Sequence, residues 1–171
     1  MTHWVLVRPA TPADADALVV LGRAVAAEKQ RWLTYGRSRS DERRNVRSVR
    51  RDADAAVFVA ETPAGIVGRL SIARDGNPVS RHVAEFGLMV AAAARRQGIG
   101  SALVTEAEKW ARGAGITKLE LHVFPHNEPA LRLYEGFGFE REGYRKGHFL
   151  RAGDPVDAIL MAIQVTPRLE A

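Results

Sequence analysis

Two glycines in the middle of the chain place the strongest constraint on its fold. Gly98 and Gly100 lie in the segment Arg95-Arg96-Gln97-Gly98-Ile99-Gly100-Ser101, between an apolar strand and an amphipathic helix that runs to about Ala114. Glycines at such a junction let the backbone turn tightly with its N–H groups pointing one way, and the helix N-terminus adds partial positive charge. That geometry binds phosphate, and the two arginines of the segment add full charges beside it.

The same glycine pair has a simpler explanation, in which it only makes a tight turn between a strand and a helix. Its spacing fits neither the longer dinucleotide-binding fingerprint nor the Gly-Lys-Ser/Thr of a P-loop. The neighbouring arginines and the strand–helix placement favour phosphate binding over the turn alone.

A second informative segment spans residues 127–139, Asn-Glu-Pro-Ala-Leu-Arg-Leu-Tyr-Glu-Gly-Phe-Gly-Phe. Asn127 is a good N-cap residue, and Pro129 suits the first turn of a helix. Gly136 and Gly138 end that helix. Taken alone, the pattern predicts a short capped helix that packs its apolar side chains against a core.

The remaining patterns predict alternating strands and helices without a repeat or a linker. We expect strands over 3–8, 55–61, 66–73, 82–90, 116–124, 140–150 and 156–165, and helices over 11–30, the second half of 31–51, 100–114 and 128–135. Ser40 is the expected N-cap of the second helix. This order predicts a single α/β (α+β) domain over residues 1–171, with helices on both faces of one sheet.

Together, the two glycine-containing segments resemble the GCN5-related N-acetyltransferase (GNAT) superfamily. Its acetyl-CoA motif, Arg/Gln-x-x-Gly-x-Gly/Ala, is matched by Arg95, Gly98 and Gly100. Its later motif, Asn-x-x-Ala-x-x-Leu-Tyr-x-x-x-Gly-Phe, is matched by Asn127, Ala130, Leu133, Tyr134, Gly138 and Phe139. The resemblance implies the GNAT fold, a central, mostly antiparallel mixed sheet that is splayed at the acetyl-CoA site.

The resemblance also implies where acetyl-CoA binds. Backbone amides from Arg96 to Ser101 are expected to hold the pyrophosphate, and Asn127 to contact the pantetheine arm. Tyr134 is expected near the thioester sulfur, where its phenol would protonate the departing thiolate; a packed core tyrosine is the alternative. The expected cofactor-binding residues are Met89, Val90, Arg95, Arg96, Gln97, Gly98, Ile99, Gly100, Ser101, Asn127, Ala130 and Tyr134.

The strand Glu85-Phe86-Gly87-Leu88-Met89-Val90 contains a glycine, which weakens a strand and often marks a bulge or a close approach. In the superfamily the corresponding strand splays from its neighbour and admits the pantetheine arm. Backbone N–H groups near Met89 and Val90 are then expected to stabilise the oxyanion of the thioester carbonyl.

Glu85 is the candidate general base, because an acid at this position is a frequent base in the superfamily, often acting through water. The chemistry needs a base, since an alkyl amine with a pKa of about 10.4 is only about one part in a thousand neutral near physiological pH. Two other roles stay open for Glu85: an ion pair with a cation such as Arg81, or substrate binding without proton transfer.

Weaker patterns supply the remaining candidates. His82 and His122 are candidate proton relays, although a single histidine on a strand is more often structural or exposed. Trp32 and Tyr35 fall between the first two helices, a region that covers the acceptor site in the superfamily, so with Glu85 they are the expected substrate contacts. No histidine–carboxylate spacing indicates a metal site, and no metal is expected.

The formal net charge of +5 favours an anionic partner such as a phosphorylated cofactor. The arginine run, residues 37–51, reads most simply as a solvated helix face. The alternative is an acceptor site for an anionic or RNA-linked amine. No aromatic residue interleaves with this run, so nucleic-acid binding is not expected.

The length of 171 residues suits one domain, and the absence of cysteine excludes disulfides and cysteine nucleophiles. No segment reads as a signal peptide or approaches the ~20 apolar residues needed to cross a bilayer. We therefore expect a cytoplasmic protein with no membrane partner, and the resemblance also allows a homodimer.

These inferences predict direct transfer of an acetyl group from acetyl-CoA to the primary amine of a small molecule or amino acid. The segment from Gly143 to Phe149, followed by Val156 to Met161, resembles a GNAT subgroup of small-amine and amino-acid acetyltransferases. The alternatives are acetylation of a protein N-terminus, a lysine or an aminoacyl-tRNA amine, a noncatalytic CoA-binding module, and a nucleic-acid binder that uses the arginine run.

Overall fold

The computed structural model describes residues 4–29 and 37–167, which form four α-helices and seven β-strands. In chain order these are β1 (Leu6–Pro9), α1 (Ala15–Ala26), α2 (Arg39–Val49), β2 (Ala55–Thr62), β3 (Gly65–Arg74), β4 (Val83–Val90), α3 (Ile99–Gly113), β5 (Lys118–Val123), α4 (Glu128–Gly136), β6 (Glu140–Arg151) and β7 (Asp154–Gln164). Every predicted element is present, with ends shifted by a few residues. None of these four helices is long and apolar enough to span a membrane.

The seven strands form one sheet in the order β1-β2-β3-β4-β5-β7-β6. Every neighbouring pair is antiparallel except β4 and β5, which run parallel. This confirms the mostly antiparallel mixed sheet that the resemblance implies. The β6–β7 hairpin folds back so that β7 lies next to β5 and β6 forms the edge.

Successive side chains of a strand point to opposite faces of the sheet, so the buried side chains form one core cluster on each face. On one face Leu70 of β3 packs in a large cluster with Leu103 of α3. On the other face Val59 of β2 packs with Leu18 of α1 and Val46 of α2. Burying each such side chain contributes about 1.5–3 kcal/mol. The prediction of helices on both faces is therefore confirmed.

Side chains determine where the first two helices begin. The hydroxyl of Ser38 accepts a hydrogen bond from the Asp41 backbone N–H at 3.1 Å, so α2 is capped by Ser38 and the expectation for Ser40 was wrong. A 3-10 turn precedes α1. There the Asp14 carboxylate accepts a hydrogen bond from the Arg8 guanidinium at 2.8 Å and another from a backbone N–H.

The parallel strands β4 and β5 stay paired over a very short length. Register pairs join residues 83–85 to residues 118–120, and the pairing ends there. On its other edge, β4 remains paired with β3 as far as Val90. The two parallel strands therefore separate after Glu85, which leaves one edge of β4 open over its last five residues.

Candidate active site

A cleft of about 1160 Å³ lies at the point where β4 and β5 separate. Residues 85–90 of β4 and residues 122–124 at the end of β5 form its floor. Residues of α1 and α2 line one side, and the starts of α3 and α4 line the other. We call these two sides the α1–α2 half and the α3–α4 half of the cleft.

The pairing of β3 with β4 decides which amides of β4 face the cleft. At one end of the ladder the N–H of Ala91 donates to the carbonyl of Val67 at 2.8 Å, and at the other end the N–H of Asp75 donates to the carbonyl of Val83 at 2.9 Å. Hydrogen-bonded pairs alternate along an antiparallel ladder, so the odd-numbered residues of β4 bond to β3.

It follows that the N–H groups of Leu88 and Val90 point into the gap left by β5. The N–H of Met89, an odd-numbered residue, is used by the sheet. The structure therefore corrects the expectation for Met89 and puts Leu88 in its place, since only an amide that faces the gap can donate to a ligand there.

The loop before α3 turns through two left-handed residues, Arg96 with a φ of 61° and Gly98 with a φ of 82°. Ala102 is the first residue whose N–H bonds back into the helix, at 3.0 Å from the Gly98 carbonyl. In the part of the chain that the structure describes, the N–H groups of residues 96–101 have no hydrogen-bond acceptor. A row of such amides at a helix N-terminus suits an anion with several oxygens, so the loop fits a pyrophosphate.

The side chain of Arg95 is held by the protein itself. Its two terminal nitrogens lie 2.8 and 2.6 Å from the Glu28 carboxylate, and its Nε donates to the Val90 carbonyl at 3.1 Å. This bidentate pair directs the Arg95 charge away from the amide loop. Arg96, by contrast, is exposed and lines the cleft.

Two of the expected cofactor-binding residues, Gln97 and Ile99, do not line the cleft. The side chain of Gln97 is exposed and donates to the Ala93 carbonyl at 3.3 Å. The side chain of Ile99 is buried in the core, with 1% of its surface exposed. Ser101, by contrast, lines the cleft.

The start of α4 forms the opposite wall of the α3–α4 half. Oδ1 of Asn127 accepts from the Ala130 N–H at 3.3 Å, which caps the helix and fixes Asn127 at the wall of the cleft. A Cβ at Gly100 would lie 3.0 Å from Leu133 Cδ2, so glycine allows α3 and α4 to approach this closely. The cap and the glycine together bring both helix starts to the same half of the cleft.

Tyr134 of α4 lies almost fully buried beside the gap, with edge-to-face contacts to Phe86 at 6.0 Å and Phe139 at 5.8 Å. Within the described residues its hydroxyl makes no hydrogen bond, and the residue lines the cleft. Burial raises the pKa of Tyr134 above its ordinary value, because the phenolate is poorly solvated there. Tyr134 therefore keeps its proton and has it available for a ligand.

Glu85 and His122 meet on the face of the sheet that α1 and α2 cover. Oε1 of Glu85 lies 2.9 Å from Nδ1 of His122, while the Glu85 side chain remains 56% exposed to the cleft. The alternative partner considered for Glu85 was Arg81, which instead pairs with Asp54. His82, the other candidate relay, is exposed and does not line the cleft.

His122 is held by a group of aromatic side chains. It stacks on His148 of β6 at 5.2 Å and contacts Phe149 edge-on at 5.7 Å. Its side chain is only 8% exposed, so its orientation toward Glu85 is fixed by packing. The sequence did not indicate this cluster, because it joins the ends of two strands that are distant along the chain.

A second charged group occupies the α1–α2 half. Glu42 of α2 is buried, with Arg69 Nη1 at 2.7 Å from Oε1 and Arg37 Nη1 at 3.6 Å from Oε2. All three residues line the cleft. The arginines of α2 are exposed, as the solvated helix face expected for the arginine run requires, whereas Arg37 before the helix lines the cleft. The exposed arginines of α2 are Arg39, Arg43, Arg44 and Arg47.

The two aromatic residues expected to form a wall for the acceptor, Trp32 and Tyr35, lie outside the described residues. Within residues 4–29 and 37–167, no three histidine, aspartate or glutamate side chains converge as metal ligands would.

The family model of the acetyltransferase (GNAT) family matches residues 23–139. Among curated proteins, L-amino acid N-acetyltransferase AaaT of Escherichia coli is 39% identical over 109 residues, which are 61% of this chain and 65% of that protein. The chain thus spans just under two thirds of the length of this relative.

Two solved structures show the same fold. Ribosomal-protein-alanine N-acetyltransferase from Brucella melitensis gives a TM-score of 0.84 at 28% identity, covering 94% of this chain and 99% of that chain. The structure of yncA from Salmonella typhimurium with its cofactor acetyl-CoA gives a TM-score of 0.83 at 19% identity, covering 97% of this chain and 96% of that chain.

Proposed function

Since the chain belongs to the acetyltransferase (GNAT) family, we propose that it is an N-acetyltransferase that transfers the acetyl group of acetyl-CoA to the primary amine of a small molecule or amino acid. One observation carries the proposal: the free amides of β4 and the free amides before α3 line the same cleft. A phosphate-binding loop alone would suit many ligands. A phosphate-binding loop that continues into an open strand edge suits a pyrophosphate joined to an extended amide chain.

Different residues of the cleft bind the pyrophosphate, the pantetheine arm and the thioester of acetyl-CoA. Backbone amides of residues 96–101 hold the pyrophosphate, with Arg96 adding charge at the mouth of the cleft. Asn127 and the open edge of β4 contact the pantetheine arm. Acetyl-CoA supplies an acetyl thioester, and the N–H groups of Leu88 and Val90 donate to the thioester oxygen, on which negative charge develops.

Two side chains move protons in the proposed reaction. Glu85 takes a proton from the ammonium form of the acceptor, directly or through water, while His122 holds its carboxylate in place. The neutral amine nitrogen then forms a bond to the acetyl carbon, and the carbon–sulfur bond breaks. Tyr134 gives its proton to the leaving sulfur. The amine nitrogen loses a second proton as the amide forms, which returns through water to Tyr134, and Glu85 releases the first proton to solvent.

The acceptor class is supported by the relatives, and two candidates follow from them. AaaT is named for acetylation of L-amino acids, and its match favours a free amino acid or a similar small amine. The Brucella structure is named for acetylation of a ribosomal-protein alanine, which keeps a protein N-terminus as the second candidate.

Release of CoA thiol from acetyl-CoA tests the function directly. The purified protein is offered free amino acids, polyamines, aminoglycosides and short peptides, and mass spectrometry identifies the acetylated product. Release with one class of amine establishes both the reaction and the acceptor class. Clear acetyl-CoA binding without release for any amine contradicts the proposed enzyme and favours a noncatalytic CoA-binding module.

A homodimer is a further part of the proposal. The edge strand β6 is exposed over most of its length, including the large side chains of Tyr144 and Leu150. Among residues 4–29 and 37–167, β7 is the one strand that pairs with it, so its other edge can bind a second copy. Sedimentation equilibrium should then give twice the chain mass of 18.7 kDa. A species with the mass of a single chain contradicts the dimer.

A further inference from the structure

Two glycines line the cleft at positions where the backbone does not require glycine. Gly22 lies in the middle of α1, and Gly87 lies in the middle of β4. Neither has a positive φ, in contrast to Gly98. Glycine weakens the interior of a helix or a strand relative to residues with a side chain, so each position lowers local stability. The reason for glycine therefore lies in what surrounds each position.

The surroundings of these two glycines are open, whereas another glycine of the sheet is crowded. At Gly68 of β3 a Cβ would lie 3.1 Å from the Cβ of Ala60, so packing excludes a side chain there. At Gly22 and at Gly87 a Cβ would have no atom of the described residues within 4 Å. Because both glycines line the cleft, their missing side chains leave part of its volume open.

Gly87 lies beside the proposed base on the same strand. The register of β4 with β3 continues unchanged from Ala84 to Val90, so no bulge interrupts the strand at Gly87. Side chains alternate along a regular strand, so Glu85 and the open position at Gly87 share one face, about 7 Å apart. The amides of Leu88 and Val90, which receive the thioester oxygen in the proposed reaction, follow next. An amine that leaves its proton on Glu85 and attacks that thioester lies over the strand between them, where Gly87 leaves space.

This space matters for the carbon that bears the acceptor amine. In a polyamine or a lysine side chain that carbon is unbranched, because it carries one carbon substituent that can extend in a single direction. In an α-amino acid other than glycine, or at the corresponding peptide N-terminus, it is branched, because it carries two carbon substituents that diverge. A side chain at position 87 would occupy the space into which one of the two substituents extends.

We propose that Gly87 and Gly22 admit acceptors whose amine lies on a branched carbon, as in an α-amino acid, by leaving room for the second substituent of that carbon. Gly87 leaves room on the sheet, next to Glu85. Gly22 widens the α1–α2 half from the helix, since α1 packs on β3 and β4. This inference rests on the proposed acetyl transfer, and it favours α-amines over the amines of a lysine side chain or a polyamine.

Pairs of acceptors that differ by one substituent test the selection. CoA release is measured for L-alanine against glycine, for the dipeptide Ala-Gly against Gly-Gly, and for the best acceptor against its unbranched analogue. Gly87→Ala and Gly87→Val should lower kcat/KM about 10- to 100-fold for the branched member, as overfilling a packed space does, and much less for the unbranched member. The affinity for acetyl-CoA should stay the same. A best acceptor with its amine on an unbranched carbon, or an equal fall for both members, overturns the proposal.

Gly22→Ala separates the effect on the acceptor from an effect on folding. Alanine favours a helix interior, so this variant should raise Tm by about 2–4 °C. It should nevertheless lower kcat/KM for the branched acceptor about tenfold, because its methyl group enters the cleft. Gly113→Ala, at the end of α3 and outside the cleft, is the control and should leave the ratio between the two acceptors unchanged. A Gly22→Ala variant that keeps the parent's ratio overturns the assignment to Gly22.

Equilibrium binding distinguishes this inference from the proposed function. The CoA-loaded protein is titrated calorimetrically with N-acetyl-L-alanine and N-acetylglycine, and Gly87→Val should weaken only the first about 10- to 100-fold. Turnover that is insensitive to both Gly87→Val and Gly22→Ala supports acetyl transfer and rejects the selection. Binding that responds to the variants without any turnover retains the selection and rejects the enzyme. Neither binding nor turnover with any of these compounds rejects both.

Discussion

Oε1 of Glu85 on β4 lies 2.9 Å from Nδ1 of His122 on β5, at the point where these two parallel strands separate. The hydrogen bond fixes one oxygen of the carboxylate, while the Glu85 side chain lines the cleft and is 56% exposed. A base that is oriented and accessible in this way can take a proton from an acceptor amine.

Glu85→Gln is expected to lower kcat/KM by about 10²–10⁴-fold near neutral pH, the usual contribution of a general base. The loss should shrink at high pH, where the acceptor amine deprotonates without help. The pH–rate profile of the variant, compared with that of the parent, is the measurement. Superimposable profiles would remove Glu85 as the base.

His122→Leu is expected to lower kcat about tenfold, because Glu85 loses the hydrogen bond that positions it. His122→Asn should retain most of the activity, since its side-chain amide can still donate to the carboxylate. His82→Asn is the matched control, because His82 is exposed and outside the cleft. Equal losses in the Leu and Asn variants would mean that His122 has only a packing role.

Tyr134→Phe is expected to slow turnover about 100-fold or more with little change in acetyl-CoA affinity, because only the proton donor is removed. Burial raises the pKa of Tyr134, so the phenol stays protonated at pH values where an exposed tyrosine would ionise. The parent should therefore show no loss of kcat from this group near pH 10.

Tyr144→Phe is the control for Tyr134→Phe, since Tyr144 is exposed on β6 and its hydroxyl donates to Asp157 at 2.6 Å. It should have no effect on turnover. Unchanged turnover in Tyr134→Phe would remove Tyr134 as the acid.

Gly98→Ala is expected to weaken acetyl-CoA binding about tenfold or more. Gly98 has a φ of 82°, and a non-glycine residue in the left-handed region costs about 1–2 kcal/mol, which shifts the loop amides. A Cβ at this position meets no atom within 4 Å, so the effect is conformational. Calorimetric titration with acetyl-CoA measures it, and Gly113→Ala, at the end of α3 and equally uncrowded, should bind normally.

Asp14→Asn is expected to lower the free energy of unfolding by about 1–3 kcal/mol at pH 7, because Arg8 loses a charged partner beside α1. The hydrogen bond from Arg8 holds the pKa of Asp14 below its ordinary value. The folded state therefore gains stability above the unfolded pKa of Asp14 and loses it as the pH falls through the lower folded value.

Urea unfolding at pH 7 and pH 3 tests this prediction, and the gap between Asp14→Asn and the parent should narrow at pH 3. Asp16→Asn is the control, since the Asp16 side chain is 56% exposed and its nearest arginine nitrogen is 3.7 Å away. A gap that stays constant with pH would show that the Asp14 carboxylate does not contribute through its charge.

Local backbone geometry is the part of the site that the sequence predicted best. The glycine loop before α3 and the Asn127 cap both depend on residues close together in the chain, and both formed where the patterns indicated. Glycine at a left-handed position and asparagine at an N-cap have few alternatives, because the backbone conformation itself selects them.

Pairings between distant segments were predicted poorly. Glu85 and His122 are 37 residues apart, and their contact depends on the parallel register of β4 with β5. The apolar residues of β5 at 119, 121 and 123 already put His122 on the opposite face, which was the one available signal. Arg69 and Glu42 gave no such signal, because their meeting depends on how α2 packs on the sheet.

The register between β3 and β4 decides which backbone amides of β4 are free to bind a ligand. Met89 and Val90 are adjacent in the sequence and were predicted to act together, yet their N–H groups point to opposite edges of the strand. Only the pairing partner of a strand decides which of two neighbouring amides remains free, and the sequence does not specify that partner.

Because β4 and β5 share only three register pairs, the sheet resembles two smaller sheets joined along a short seam. A ligand that lies along the open edge of β4 adds contacts between these two parts of the sheet. A ligand at 100 times its Kd adds about 2.7 kcal/mol to the free energy of unfolding. If the protein binds acetyl-CoA as proposed, its folded, protease-resistant population in a cell should therefore rise and fall with the supply of acetyl-CoA.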